Sequence, residues 1–305
     1  MAERIYVYDT TLRDGAQTRG VDFSVDDKRA IARALDEIGI DYIEGGWPGA
    51  NPVDDALFET SPGFKNARFA AFGMTRRPDH SAANDPGING LISTAADSIC
   101  MVGKTWDFHV DVALGIPREE NIAMIGESIA YAATRKDEVL FDAEHFFDGF
   151  KANPEYALAC IKVAYDAGAR WVVLCDTNGG TLPHAIVNIV AEVLTHIPGS
   201  HVGIHAHDDT GNAVANTLAA VEAGVRHVQG TLNGLGERCG NANLVTVLPN
   251  LTLKYDGIYE TGLSADGLKR LTHVSRLLDE LLNRAPDRTA PYVGEAAFTH
   301  KGGLH

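Results

Sequence analysis

Apolar positions recur along this chain in two alternating rhythms. In the first they fall three and four residues apart, as in Ile31, Leu35 and Ile38, then Leu158, Ile161 and Tyr165, then Val214, Leu218 and Val221. That spacing lays one apolar stripe along a helix. In the second, short apolar runs at 4–8, 40–43, 68–72, 98–102, 139–141, 169–174, 201–204 and 225–228 read as buried strands. The junctions repeat too: at Gly39, Gly168 and Gly224 a helix stops and the chain turns straight into a strand, because glycine accepts the left-handed backbone that ends a helix. Ser24 followed by Asp27 predicts a capping box, and Asn153 before Pro154 predicts a capped helix start.

Eight strands separated by helices, with short connections, predict parallel pairing and an α/β fold closed as a (β/α)8 TIM barrel. An open doubly wound sheet is the alternative; its dinucleotide-binding form is disfavoured because no G-x-G-x-x-G follows the first strand. The barrel is expected over 1–260. After Leu253 the pattern turns into a helix over 265–282 and a stretch containing Pro286 and Pro291, which predicts a short helical C-terminal accessory segment over 261–305.

Composition sharpens this picture in a few places. With 305 residues and 45% hydrophobic content the chain can bury a large core. A formal net charge of -15 repels phosphodiester backbones and anionic lipid, so neither nucleic acid nor a membrane is expected as a partner. Cys100, Cys160, Cys175 and Cys239 show no C-x-x-C spacing and are expected to be reduced, which places the protein in the cytoplasm. No basic leader with an apolar run opens the chain, and no stretch of ~18 uninterrupted apolar residues occurs.

In such a barrel, chemistry gathers where strands end. Asp14 follows the first strand, Glu44 ends the second, Glu144 the fifth, Asp176 and Thr177 the sixth, and His205 and His207 the seventh. Side chains two apart on a strand share a face, so both imidazoles can meet one divalent cation, although an isolated H-x-H also suits a polar rim. Asp208 and Asp209 are candidates to orient them, and Asp14 is a candidate oxygen ligand. Arg13 sets a planar fork beside Asp14, suited to a carboxylate or a developing oxyanion. In the glycine-rich loop after the eighth strand, Asn241 either caps the following helix or lends an oxygen to the cation.

Three segments carry a resemblance: DTTLRDGAQ at 9–17, HAHDDTGN at 205–212 and GLGERCGN at 234–241. They resemble the signatures of the 2-isopropylmalate synthase family, which also contains homocitrate synthases, citramalate synthases and the lyase of hydroxymethylglutaryl-CoA. The likeness runs through the whole chain in order. Within the family, EGGWPG at 44–49 and FDAEHFFDG at 141–149 resemble the long-form citramalate synthases, with one departure: Asp142 is acidic where better-known members carry a larger side chain.

The resemblance implies a barrel that condenses acetyl-CoA with a short 2-oxo acid, pyruvate in the citramalate branch, using a divalent cation (Mg, Mn or Zn) and assembling as a homodimer. It implies Asp14, His205 and His207 as metal ligands with Asn241 as a fourth. It gives Arg13 the oxo group, Thr177 the substrate carboxylate and Glu144 an acid/base role, with His305 in the terminal FTHKGGLH as a second proton-transfer candidate. Relatives of this kind continue into a C-terminal domain that binds an amino-acid inhibitor, so a truncation after 305 is expected. Other acceptors, namely 2-oxoisovalerate or 2-oxoglutarate, and the cleavage direction are the near alternatives. A metal-dependent hydrolase is the distant one, since hydrolases of that kind carry H-x-H on the first strand and not the seventh.

Overall fold

A computed structural model of the chain describes residues 2–302. Eight strands run in the order expected: β1 (Tyr6–Asp9), β2 (Tyr42–Gly46), β3 (Arg68–Met74), β4 (Ser98–Lys104), β5 (Glu138–Glu144), β6 (Trp171–Asp176), β7 (Val202–Ala206) and β8 (His227–Gly230). Each pairs in parallel with its neighbours, and β1 also pairs with β8, from Tyr6 opposite His227 to Asp9 opposite Gly230, which closes the barrel. The open sheet is thereby excluded.

The local signals act as the sequence suggests. Ser24 and Asp27 form a reciprocal capping box at the start of the helix Val25–Ile38, and Gly39 ends that helix with φ of 96°. Asn153 accepts from the Tyr156 amide at the start of Pro154–Asp166. Gly168 and Gly224 take φ of 103° and 120°. The strands reach one to three residues beyond the apolar runs, to polar ends such as Asp9, Lys104, Glu144 and Asp176, so the rim is built from residues that hydropathy alone leaves outside the strands. The sequence reading missed a small parallel pair, Glu3–Arg4 with Tyr259–Glu260, too short to carry a periodicity. The tail helix Ala265–Leu281 packs on Val25–Ile38, burying Leu271, Val274 and Leu278. Among the described residues no helix is long and apolar enough to cross a membrane.

The barrel interior is plugged below the rim by Tyr8, Tyr42, Leu140, Trp171 and Val173. His227 lies among them, fully buried and stacked on Trp171 at 4.8 Å between ring centroids, with both ring nitrogens unpartnered. Burial pulls its pKa down to about 3. A folded-state pKa below the unfolded one stabilises the fold above the unfolded value of about 6.5 and loses that stabilisation as pH falls towards the folded one. His227→Phe is therefore expected to flatten the acid dependence of stability between about pH 6.5 and 3, by up to about 1.4 kcal/mol per pH unit. Denaturant melts across that range would show an unchanged slope if the imidazole were not responsible.

Candidate active site

The loop after β1 is tied down by its own side chains. Asp9 accepts from the Thr11 amide at 2.8 Å and the Thr11 hydroxyl at 2.9 Å, while Thr11 Oγ1 in turn accepts from the Leu232 amide beyond β8. This fixes Arg13 and Asp14 at the mouth of the barrel. Burial pushes the Asp9 carboxyl up to about 7 against those hydrogen bonds.

Asp14, His205 and His207 converge as the spacing suggested. Asp14 Oδ2 lies 3.3 Å from His205 Nε2 and 3.7 Å from His207 Nε2, and one ligand atom from each residue falls within 4.8 Å of the others. All three are buried. Burial raises the Asp14 carboxyl, but Arg13 and the two histidines outweigh it and hold the group well below the usual carboxylate range. His207 is pulled down to about 4 by burial and by His205.

Two oxygens at this point are buried without a partner, Asp14 Oδ1 and Asn241 Oδ1. A buried polar atom without a hydrogen bond costs about 1–3 kcal/mol, and the two oxygens beside the two imidazole Nε2 atoms fit a cation-binding centre of two nitrogens and two oxygens. Asn241 does not cap the next helix; Asn243 does, accepting from the Val245 amide. Asn241 donates Nδ2 to the Leu235 carbonyl at 3.1 Å, which leaves its oxygen available. Gly236 is required there, because a Cβ would come within 2.2 Å of that same Nδ2.

The carboxylates expected to orient the histidines do not. Asp208 caps the Ala213 amide, and Asp209 takes a two-pronged pair from Arg238, which also donates to the Thr177 carbonyl. Arg238 has a left-handed φ of 55°, and its grip ties the Asn241 loop to the ends of β6 and β7. His205 Nδ1 instead meets Gln229 Oε1 at 2.8 Å. Gln229 was passed over in the sequence; its only signal there is a polar residue inside a short apolar strand.

Arg13 sits beside this centre with its Nε donating to Glu44 at 2.7 Å and its guanidinium carbon 3.9 Å from the Phe72 ring centroid. Glu44 is fully buried and also accepts from Tyr8 and Thr10. It serves to aim Arg13. Glu144 pairs with Lys104, a residue the sequence reading did not single out although it ends β4 at the same rim. Thr177 Oγ1 accepts from the His145 amide at 2.8 Å, leaving its hydroxyl hydrogen to donate. Asp176 is spent on Thr181. Asp142 lines the pocket floor; burial pushes its carboxyl up to about 6. His305 lies outside the described residues.

Arg13, Asp14, Asp142, Glu144, Thr177, His205 and His207 all face one cavity of about 270 Å3. It adjoins a larger one of about 860 Å3 that runs past Arg76 and Arg77, and the two share Trp47, Met74, Val102, Lys104 and Glu144. The smaller chamber thus meets the larger cavity at the Lys104–Glu144 pair.

The HMGL-like family model matches residues 4–277. Among curated proteins, an (R)-citramalate synthase of Aquifex aeolicus is 52% identical over 309 residues, spanning 100% of this chain and 58% of its own length. One from Geobacter sulfurreducens is 50% identical, spanning 99% and 57%. A probable 2-isopropylmalate synthase of Methanopyrus kandleri is 36% identical, spanning 100% and 58%. The chain therefore spans less than two thirds of the length of these three relatives. Among solved structures, the hydroxymethylglutaryl-CoA lyase of Pseudomonas aeruginosa superposes with a TM-score of 0.76 at 18% identity, covering 97% of each chain. The HMG-CoA lyase of Brucella melitensis does so at 0.75 and 21%, covering 92% of this chain and 100% of that one. At such identities these two structures speak for the fold alone.

Proposed function

This chain belongs to the HMGL-like family, and from that premise we propose that it is the catalytic barrel of a metal-dependent (R)-citramalate synthase, joining acetyl-CoA to pyruvate and releasing CoA. The product would lead towards 2-oxobutanoate and isoleucine. The observation that carries the reading is the meeting of the Asp14–His205–His207 cluster with Arg13 and Glu144 in one chamber that adjoins a larger cavity of about 860 Å3. The 52% identity to an (R)-citramalate synthase supports the choice of pyruvate. So does the chamber: of its cationic side chains Arg13 is assigned to the oxo group and Lys104 is paired with Glu144, so neither is spare for the second carboxylate of 2-oxoglutarate.

Asp14, His205, His207 and Asn241 would hold the divalent cation, which when bound supplies Lewis-acid activation of the oxo acid. The remaining work falls to the chain's own groups. Thr177 donates its hydroxyl hydrogen to the substrate carboxylate. Arg13, steadied by Glu44, presents its terminal nitrogens to the negative charge that grows on the oxo oxygen. Glu144, at the junction of the two cavities, takes a proton from the acetyl methyl group, directly or through water, and Lys104 fixes where that carboxylate points. His305 is a second candidate for this proton. The resulting enolate carbon attacks the oxo carbon, the new alkoxide is protonated, and water cleaves the thioester to give citramalate and CoA. A magnesium, manganese or zinc ion suits the donor set; homodimeric assembly and a cytoplasmic location belong to the same proposal.

The test is thiol release from acetyl-CoA with a panel of 2-oxo acids, followed by chiral analysis of the product. Pyruvate is expected to be preferred and (R)-citramalate to form. Preference for 2-oxoisovalerate or 2-oxoglutarate would reassign the acceptor.

A further inference from the structure

Gln229 stands on β8 with His205 opposite it on β7 and Tyr8 opposite it on β1. It is fully buried. Its amide makes two hydrogen bonds across the barrel: Oε1 lies 2.8 Å from His205 Nδ1, and Nε2 donates to Asp142 Oδ1 at 3.0 Å. We infer that Gln229 is a positioning residue that carries an instruction from Asp142 on β5 to His205 on β7, fixing the imidazole tautomer that a cation needs.

The logic is one of donors and acceptors. A carboxylate only accepts, so the amide must turn its NH2 towards Asp142 and its oxygen towards His205. That oxygen also only accepts, so His205 must carry its hydrogen on Nδ1. Nε2, 3.3 Å from Asp14 Oδ2, is then the nitrogen whose lone pair a cation at the centre would take; with no cation it faces the Asp14 carboxylate and can hold a second hydrogen. A reversed amide would present N–H to Nδ1, drive the hydrogen onto Nε2 and block coordination. No such device serves His207, whose Nδ1 is buried without a partner, and the neighbouring Asp208 and Asp209 are engaged elsewhere. The centre therefore has one pinned histidine and one unpinned, and the floor of the oxo-acid chamber and the metal site share a side chain.

This inference rests on the metal centre proposed above, and the experiment separates the two. The full chain is titrated with Zn2+ against a competing chelator, and histidine 15N shifts are recorded for the metal-free protein. Wild type is expected to show Nδ1–H at His205 and to bind Zn2+. Gln229→Leu is expected to bind about 10–100-fold more weakly and to show mixed tautomers at His205. Combining Gln229→Glu with Asp142→Asn rebuilds the relay, with a carboxylate accepting from His205 and from the new amide, and is expected to restore affinity to within a few-fold. Gln229→Leu binding Zn2+ as tightly as wild type would overturn the relay. So would a His205 Nδ1 without its hydrogen in the wild type, a result that stands even if the leucine variant does not fold. Absence of Zn2+ binding by the wild type, with Nδ1–H still present, would instead remove the metal centre and leave the tautomer assignment in place.

Discussion

Arg13→Ala is expected to lower turnover by about 10²–10³-fold, the loss typical of removing one preorganised donor to a developing oxyanion, or about 2.7–4 kcal/mol of barrier. The geometry explains why the effect should fall on kcat more than on KM. Arg13 is held by Glu44 at 2.7 Å and stacked on Phe72, so it is in place before substrate arrives and has nothing to reorganise as charge develops. Loss of the residue should not unfold the site, because Glu44 keeps its donors from Tyr8 and Thr10. Arg13→Lys retains a charge but not the fork and should recover only part of the rate. The check is steady-state thiol release alongside thermal melts; a rate near wild type in a well-folded Arg13→Ala variant removes this residue from the chemistry.

Stripping divalent cations with a chelator should abolish turnover, and adding back magnesium, manganese or zinc should return it. Stability should move in the same direction. Asp14 Oδ1 and Asn241 Oδ1 are buried without partners, and a ligand that binds only the folded state adds about 2.7 kcal/mol when present at a hundred times its dissociation constant. Asp14→Ala removes the only anionic member of the cluster and should abolish both the metal-dependent rise in melting temperature and activity. Paired calorimetry and assay test this directly: full activity in excess chelator, with no metal found by elemental analysis, is incompatible with the proposed centre. A rise that persists in Asp14→Ala would place the cation elsewhere.

The polar groups of the chamber come at a cost to the fold. Asp9, Glu44 and Asp142 are buried carboxyls close to the rim, and burial raises Asp9 and Asp142 to about 7 and 6. The chain sets this demand over a dense apolar plug built from Tyr8, Tyr42 and Trp171. Sites of this kind are where local rules are broken in favour of chemistry.

What the sequence determined by itself is everything that depends on neighbours a few residues apart. Helical and strand periodicities, the Ser24–Asp27 box and the left-handed glycines at 39, 168 and 224 all act within one turn, so the order of strands was legible and the barrel followed from it. The strand-end position of Arg13, Asp14, Glu144, Thr177, His205 and His207 was legible for the same reason. Only the tertiary structure decided how those groups are held. Gln229 meets Asp142 across 87 positions and Lys104 meets Glu144 across 40. Asn243 rather than Asn241 caps the last barrel helix because the loop folds back on Gly234 and Leu235. Asp209 turns to Arg238 and not to a histidine. Partners so far apart in the chain are brought together by barrel closure and register, and a pattern of residue types contains neither.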